Sequence, residues 1–567
     1  MGKSLSVLIV GGVACGPKAA SRLKRLLPDA EVTMVDRGPL VSYGACGLPY
    51  FVEGMYPKIE ALVETPYGAL RDVAFFEKVK GFKTLTRTEA VEIDRKGKRV
   101  RVRNLDSGKE ENLPYDKLVL ATGGRPHRPP FPGLELENVW FMRHLDDAKN
   151  MADCISTEGL KKAVIVGAGY IGVEMAEALR ARGLDVTMVE LFDQIMPQFL
   201  DEEMARLAAK HIRQKGVELA LGEKVIALEG DGKVVSVKTD KRTLPADLVV
   251  IGVGVLPNDE LARESGIACA AKGGILIDSY CRTSDPDIYA GGDCVVNHYV
   301  DPITRASFFV PLGSTSNKHG RTIADHIAGR PTQFAGVTAT GLCRAFDFTL
   351  GRTGLTEKQA RELDPEIETA IWAGPDRPHY VPESKALVIK MVASRRSRKL
   401  LGFQVVGRGD ASKRLDIAAS ALFFGATVDQ IAGIDLGYAP PYSSPIDAIA
   451  GAAHLLLNKL DGIAQGIAPA EAKQRLDGGD NITLVDVRTS KEFQKIRMPY
   501  PNVLNIPLAD FRARFHELPN NEDILIYCGI SMRAYEAQRI LNAAGYDRVW
   551  FIEGGITGWP FELSKGK

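Results

Sequence analysis

The feature that most constrains the fold is Gly167-Ala168-Gly169-Tyr170-Ile171-Gly172, which follows the apolar run Ala163-Val164-Ile165-Val166 and opens an amphipathic segment through Glu174 to Arg182. Three glycines at this spacing permit a tight turn, close approach of the backbone to a pyrophosphate, and tight packing of helix on sheet. The helix N-terminus then stabilises the phosphate charge. The next strand-like run, Val186-Thr187-Met188-Val189, ends in Glu190, 18 residues beyond Gly172, where a carboxylate accepts hydrogen bonds from an adenosine ribose. That carboxylate repels a 2′-phosphate, which favours NADH over NADPH. An earlier copy, Gly11-Gly12-Val13-Ala14-Cys15-Gly16, keeps the first and last glycines but carries Val13 in the middle place. Asp36, 20 residues beyond Gly16, restores the ribose-binding acid.

Two dinucleotide fingerprints in 567 residues leave room for further domains. Lys and Arg number 72 against 71 Asp and Glu, so there is no global charge excess to attract nucleic acid or an anionic membrane surface. No apolar run is long enough to span a bilayer, and the start lacks the pattern of a secretory signal. The eight cysteines stand singly, without a C-x-x-C pair or metal-ligand spacing. The expectation is a cytoplasmic, reducing setting with no metal, in which most cysteines are small core residues and one or two are reactive.

Leu118-Val119-Leu120-Ala121-Thr122-Gly123 and Asp247-Leu248-Val249-Val250-Ile251-Gly252 read as buried parallel strands ending in glycine turns. Their order predicts interleaved domains: a dinucleotide domain at 1–115 continued at 246–330, and a second one at 116–245. An α+β domain follows at 331–458, with alternating strands and a helix near 411–425. Asp461 to Gly466 has the composition of a flexible linker before a last domain at 466–567.

With Ala121-Thr122-Gly123 and Gly291-Gly292-Asp293, the two fingerprints resemble the flavoprotein disulfide reductases over roughly residues 5–455. The resemblance implies an α/β protein with two Rossmann-like domains, one for FAD and one for NAD, and an α+β dimerisation domain. It implies FAD contacts from Gly11, Gly12, Gly16, Asp36, Thr122, Gly123 and Asp293, with the last at the ribityl chain. NADH is assigned to Gly167, Gly169, Gly172 and Glu190. Ser42-Tyr43-Gly44-Ala45-Cys46-Gly47-Leu48-Pro49 stands where this superfamily places its redox centre. Phe51 occupies the position of a second cysteine, so Cys46 has no local partner and would form a mixed disulfide with a substrate thiol.

The stretch is similar to the single-cysteine coenzyme A-disulfide and persulfide reductases, which implies substrate contacts by Ser42, Arg22 and Arg25, with coenzyme A as substrate or bound thiol. Ala45 departs from an asparagine often found there. Tyr438, in Tyr438-Ala439-Pro440-Pro441-Tyr442, and Tyr380 are the implied hydroxyl donors to the partner subunit's thiol, which makes the protein a homodimer with shared sites. The same elements also resemble an NADH oxidase and peroxidase branch, although Ala14 replaces the histidine common in its first glycine turn. A redox sensor that switches at Cys46 or Cys528 is the non-enzymatic alternative.

Leu484-Val485-Asp486-Val487-Arg488, Glu492-Phe493 and Cys528-Gly529-Ile530-Ser531-Met532-Arg533 resemble a rhodanese domain. A cysteine at the end of a strand, with Arg533 closing a six-residue loop at a helix start, makes a cradle of N–H groups for a thiolate or persulfide. Ile496-Arg497-Met498-Pro499 replaces the usual Gly-His-Ile. The function implied by both halves is FAD- and NADH-dependent reduction of small persulfides or disulfides, coupled to sulfane-sulfur transfer at Cys528.

Overall fold

The computed structural model describes residues 4–300, 307–479 and 481–565. Two compact units result: residues 1–189 with 223–337, and residues 190–222 with 338–567.

The first unit holds two parallel sheets. In one, the strands run in the order Ile288–Ala290, Lys117–Leu120, Ser6–Val10, Glu31–Val35, Lys83–Leu85. Ser6–Val10 is almost wholly buried because helix residues Ala19, Ala20 and Leu23 pack on one face and Ile93, Val100 and Val102 of an antiparallel strand pair on the other, which is why it reads as a continuous apolar run rather than an alternating one. In the other sheet Asp185–Glu190, Lys162–Val166, Leu248–Ile251 and Val139–Trp140 lie side by side. These are the two Rossmann-like domains that the fingerprints predict. The strand Lys117–Leu120, beyond the boundary expected at 115, pairs with Ser6–Val10, and Leu248–Ile251, beyond the one expected at 245, pairs with Lys162–Val166. Both are apolar runs ending in a glycine turn, and nothing in such a pattern tells which sheet a buried strand joins.

In the second unit an antiparallel sheet has the order Gly341–Ala345, Phe348–Gly354, Leu400–Gly407, Ala386–Ser394, Ile367–Pro375. Helices Ala411–Phe423 and Ala448–Leu460 pack on it. Ala386–Ser394 does not alternate as its sequence suggests, since eight of its nine residues are buried. The helix Glu202–Gln214 accounts for the polar one, because Glu203 accepts from Lys390 Nζ at 3.1 Å. Arg395 to Lys399 form the hairpin tip between two strands.

The C-terminal part is a parallel sheet in the order Gly466–Ile467, Val549–Ile552, Asp523–Tyr527, Ile482–Asp486, Leu504–Asn505. The segment expected to be a flexible linker is tied down. Ile463 and Ala464 donate their N–H groups to Asn458 O at 2.8 and 2.9 Å, and Gln465 O accepts from Phe551 N at 3.1 Å. Small residues at 461–466 serve close packing here rather than freedom. Met498, in the departure from Gly-His-Ile, is fully buried in the core of this sheet.

Arg414 anchors the second unit. Fully buried, it donates to Asp447 Oδ1 and Oδ2 at 3.0 and 2.7 Å and to Asp376 O at 2.8 Å. Replacing it with methionine leaves the buried Asp447 carboxylate with Lys413 at 3.3 Å and the Ile449 N–H at 3.1 Å but without its guanidinium, and we expect a loss of about 3 kcal/mol. Scanning calorimetry should register this as a lower transition temperature for the second unit.

Candidate active site

Both glycine turns are required by space. A Cβ on Gly16 would stand 1.9 Å from Gly11 O, and one on Gly172 would stand 2.0 Å from Gly167 O. Gly11 and Gly167 also have φ of +113° and +102°, in the region that favours glycine. By contrast, a Cβ on Gly169 would meet nothing within 4 Å, which leaves open space beside the turn for a phosphate. Helices Cys15–Leu26 and Tyr170–Ala181 begin without a side-chain cap, so their first N–H groups are left for a ligand. The residues present therefore fit a dinucleotide at each turn.

The cofactor acids are placed to match. Asp36 ends its sheet strand and accepts Gly12 N–H at 2.6 Å and Gly38 N–H at 2.7 Å, which leaves carboxylate lone pairs free for a ribose. Burial pushes its pKa up, against those two bonds. Asp293, far along the chain, arrives beside the first turn because Ile288–Ala290 pairs with Lys117–Leu120. Ser316 Oγ donates to it at 3.2 Å, and burial again raises its pKa. Thr122 Oγ1 donates to Asn258 O at 2.6 Å, which fixes the Thr122-Gly123 turn. Glu190 ends the strand Asp185–Glu190 and is buried.

Cys46 lies in the short turn Ala45–Gly47 that leads into helix Leu48–Glu53, and it is exposed. Packed surroundings nevertheless push its thiol pKa up; Glu174 and Asp293 push the same way and Arg143 opposes them. Glu174, on the helix of the second glycine turn, accepts from Tyr50 Oη at 3.1 Å. Ser42 has φ of +55° and donates its N–H to Gly12 O at 2.7 Å, so the cysteine loop is stitched to the first glycine turn. Sequence reasoning missed Arg143 and Glu174, since neither belongs to a motif; the Arg143 guanidinium lies 4.0 Å from Asp293.

The proposed coenzyme A contacts diverge. Arg22 is committed to the buried carboxylate of Asp325, with Nε at 2.8 Å from Oδ1, whereas Arg25 is exposed. Tyr380 and Tyr438 are both exposed, at 64% and 51%. Their loops are joined by Arg377, which donates to Pro441 O at 3.1 Å.

Cys528 follows strand Asp523–Tyr527 and is fully buried. Ser531, at the start of helix Met532–Ala543, has φ of +88°, a strained conformation for a residue with a side chain, in the loop that would hold sulfur. Arg533 is clamped by Glu492 through two bonds, Nη1 to Oε2 at 2.9 Å and Nη2 to Oε1 at 2.8 Å. This pairing lowers the Glu492 pKa to about 2. The sequence reading noted Glu492 as part of a motif but not as the residue that aims Arg533.

Comparison with known proteins follows the same division. Residues 5–309 match the pyridine nucleotide-disulphide oxidoreductase family, residues 343–449 its dimerisation domain, and residues 468–561 the rhodanese-like domain. The chain belongs to the pyridine nucleotide-disulphide oxidoreductase family. The structure is similar to an NAD-dependent persulfide reductase from A. fulgidus, with 40% identity and a TM-score of 0.93, covering 98% of this chain and 100% of that one. It is also similar to reduced Bacillus anthracis CoADR-RHD, with 32% identity and a TM-score of 0.90, covering 98% of each chain. An NAD(P)H coenzyme A polysulfide/persulfide reductase from Pyrococcus horikoshii is 34% identical, over 80% of this chain and 100% of its own. Relatives named NADH oxidase match at 28% to 32% identity.

The acid beside Cys46 has a measurable consequence. A carboxylate disfavours a neighbouring thiolate, so Glu174→Gln should lower the Cys46 pKa and speed its alkylation at pH values below the midpoint. Iodoacetamide labelling against pH, resolved on the Cys46 peptide by mass spectrometry, checks this; an unchanged profile would remove Glu174 from the thiol's surroundings.

Proposed function

We propose that this protein is an FAD- and NADH-dependent reductase of small persulfides and disulfides, with coenzyme A persulfide or disulfide as substrate and a rhodanese domain that carries sulfane sulfur. The observation that carries the reading is the pair of free cysteines, each in its own sulfur-handling setting. Cys46 is exposed beside a dinucleotide turn without a partner thiol, and Cys528 is buried in a loop closed by Arg533.

FAD, bound at Gly11, Gly12, Gly16, Asp36, Thr122, Gly123 and Asp293, supplies the passage of two electrons from NADH to sulfur. NADH is held at Gly167, Gly169, Gly172 and Glu190. The Cys46 thiolate attacks the sulfur bonded to coenzyme A, forming a mixed disulfide and releasing hydrosulfide. Two electrons and a proton then return the Cys46 thiolate and free coenzyme A thiol. Because burial, with Glu174 and Asp293 adding to it, raises the Cys46 pKa, its thiolate requires compensating donors. Tyr438 and Tyr380 are the candidates, acting on the partner subunit's thiol within a homodimer. Arg25 and Ser42 bind coenzyme A, while Arg22 braces the helix through Asp325.

At the second centre the Cys528 thiolate attacks the outer sulfur of a persulfide such as that of coenzyme A, the donor's S–S bond breaks, the donor leaves as its thiol, and Cys528 is left as the persulfide with Arg533 balancing its negative charge. Burial of Cys528 means that only a thin donor such as the pantetheine arm can reach it. Eight free cysteines fit a reducing, cytoplasmic setting.

NADH oxidation is the second reading, favoured by the oxidase-named relatives. Both structural neighbours that span 98% of this chain carry persulfide reductase or CoADR-RHD in their names, which favours sulfur.

Anaerobic NADH oxidation with coenzyme A persulfide, coenzyme A disulfide or oxygen supplied separately decides between them. Cys46→Ser should lower persulfide turnover on the order of 10³-fold or more and leave thiosulfate-to-cyanide transfer intact, while Cys528→Ser should do the reverse. Dominant oxygen consumption in wild type would move the protein to the oxidase branch.

A further inference from the structure

One buried ionic cluster reaches an active loop and yet has no part in either reaction as written above. Glu553 opens the turn Glu553-Gly554-Gly555-Ile556-Thr557 and is 1% exposed. Its partners come from the dimerisation domain: Lys459 Nζ bonds Oε1, and Ile371 N–H donates to Oε2 at 2.6 Å. Lys459 also lies 3.4 Å from Glu368 Oε1. Ile371 belongs to the edge strand Ile367–Pro375, so Glu553 caps a backbone donor of a sheet edge. Gly466 keeps the space clear, since a Cβ there would stand 2.3 Å from Glu553 Oε1.

The other end of the same turn grips the sulfur loop. Ile556 N donates to Cys528 O at 2.9 Å, and Thr557 N donates to Gly529 O at 3.0 Å. Gly555, with φ of +52°, passes so close that a Cβ would stand 2.4 Å from Cys528 O. A shift of Glu553 is therefore transmitted through two residues to the carbonyls that set the Cys528 cradle. Lys459 stands on helix Ala448–Leu460, which begins a few residues after the Tyr438 loop.

We infer that Glu553, paired with Lys459, is a positioning residue for sulfur transfer, through which the dimerisation domain fixes the geometry of the Cys528 loop. The rhodanese domain then works as a fixed limb and not as a tethered module. The inference rests on the sulfurtransferase reading of Cys528.

The test uses the full-length holoenzyme with Glu553→Gln, Lys459→Met and the double variant. Each single change leaves a buried charge or dipole unmatched and should lower kcat for thiosulfate-to-cyanide transfer about tenfold, with KM within about twofold. The pH midpoint for iodoacetamide labelling of Cys528 should move with it. The double variant, which removes both charges, should recover most of the loss. NADH-dependent turnover at Cys46 serves as the control for assembly. Wild-type kcat and an unmoved Cys528 midpoint in both single variants would overturn the inference. So would activity that falls only in proportion to the folded fraction. The labelling readout needs no turnover, so absence of transfer in wild type would count against the sulfurtransferase reading alone.

Discussion

Both nucleotide sites depend on one steric condition: the first turn of a helix must touch the carbonyl of the turn that precedes it. At Gly16 and Gly172 a Cβ would stand 1.9 and 2.0 Å from that carbonyl oxygen, far inside van der Waals contact. The strand, the turn and the helix are thereby locked at a single separation, and the uncapped N–H groups point where a pyrophosphate can use them. Asp36 depends on the same closeness, because Gly12 N–H reaches its carboxylate only when the turn is drawn tight. The cysteine loop inherits it in turn through the bond from Ser42 N–H to Gly12 O.

The two cysteines proposed to react stand in different surroundings. Cys46 is exposed, yet burial by its surroundings raises its pKa, with Glu174 and Asp293 adding to this and Arg143 and a backbone hydrogen bond opposing it. Cys528 is buried and precedes a 12-residue helix whose Arg533 is held by Glu492. A thiol that resists ionisation until substrate or partner groups arrive suits a cofactor-coupled reduction, where premature thiolate chemistry is a side reaction. The Glu492 carboxylate, low in pKa because of Arg533, keeps the guanidinium aimed without protonating under ordinary conditions.

The elements that carried short-range signals were legible in the sequence. Glycine spacing, the acid after the second strand and the cysteine-to-arginine loop each state a local backbone requirement, and the corresponding turns exist in the structure. What depended on long-range pairing was not legible. Lys117–Leu120 and Leu248–Ile251 have interchangeable patterns and exchange sheets relative to the expected boundaries. Arg143 and Glu174 sit in no motif, and their relevance arises only when two βαβ units meet. Arg22 is read as a substrate contact, and nothing in the sequence links it to Asp325, 303 positions away, with which it pairs. Composition misled at 461–466, where small residues permit close contact instead of motion.

Lys390 explains why a strand with a charged residue at its middle can still be buried. Its ammonium is 2.7 Å from Glu357, 3.1 Å from Glu203 and 3.2 Å from Asp201. Three carboxylates around one cation would repel one another if left bare, but Asp201 and Glu357 have further partners. Asp201 accepts Glu357 N–H at 3.1 Å and Gln404 Nε2 at 2.6 Å, and Glu357 shares Arg361 at 2.6 Å. Such a network gains little over an apolar core of equal volume, yet it tolerates only one arrangement of its members. Residues 190–222, which interrupt the nucleotide domain in sequence, supply two of the acids. The network therefore specifies the docking of that segment on the dimerisation sheet, where hydrophobic contact alone would permit sliding.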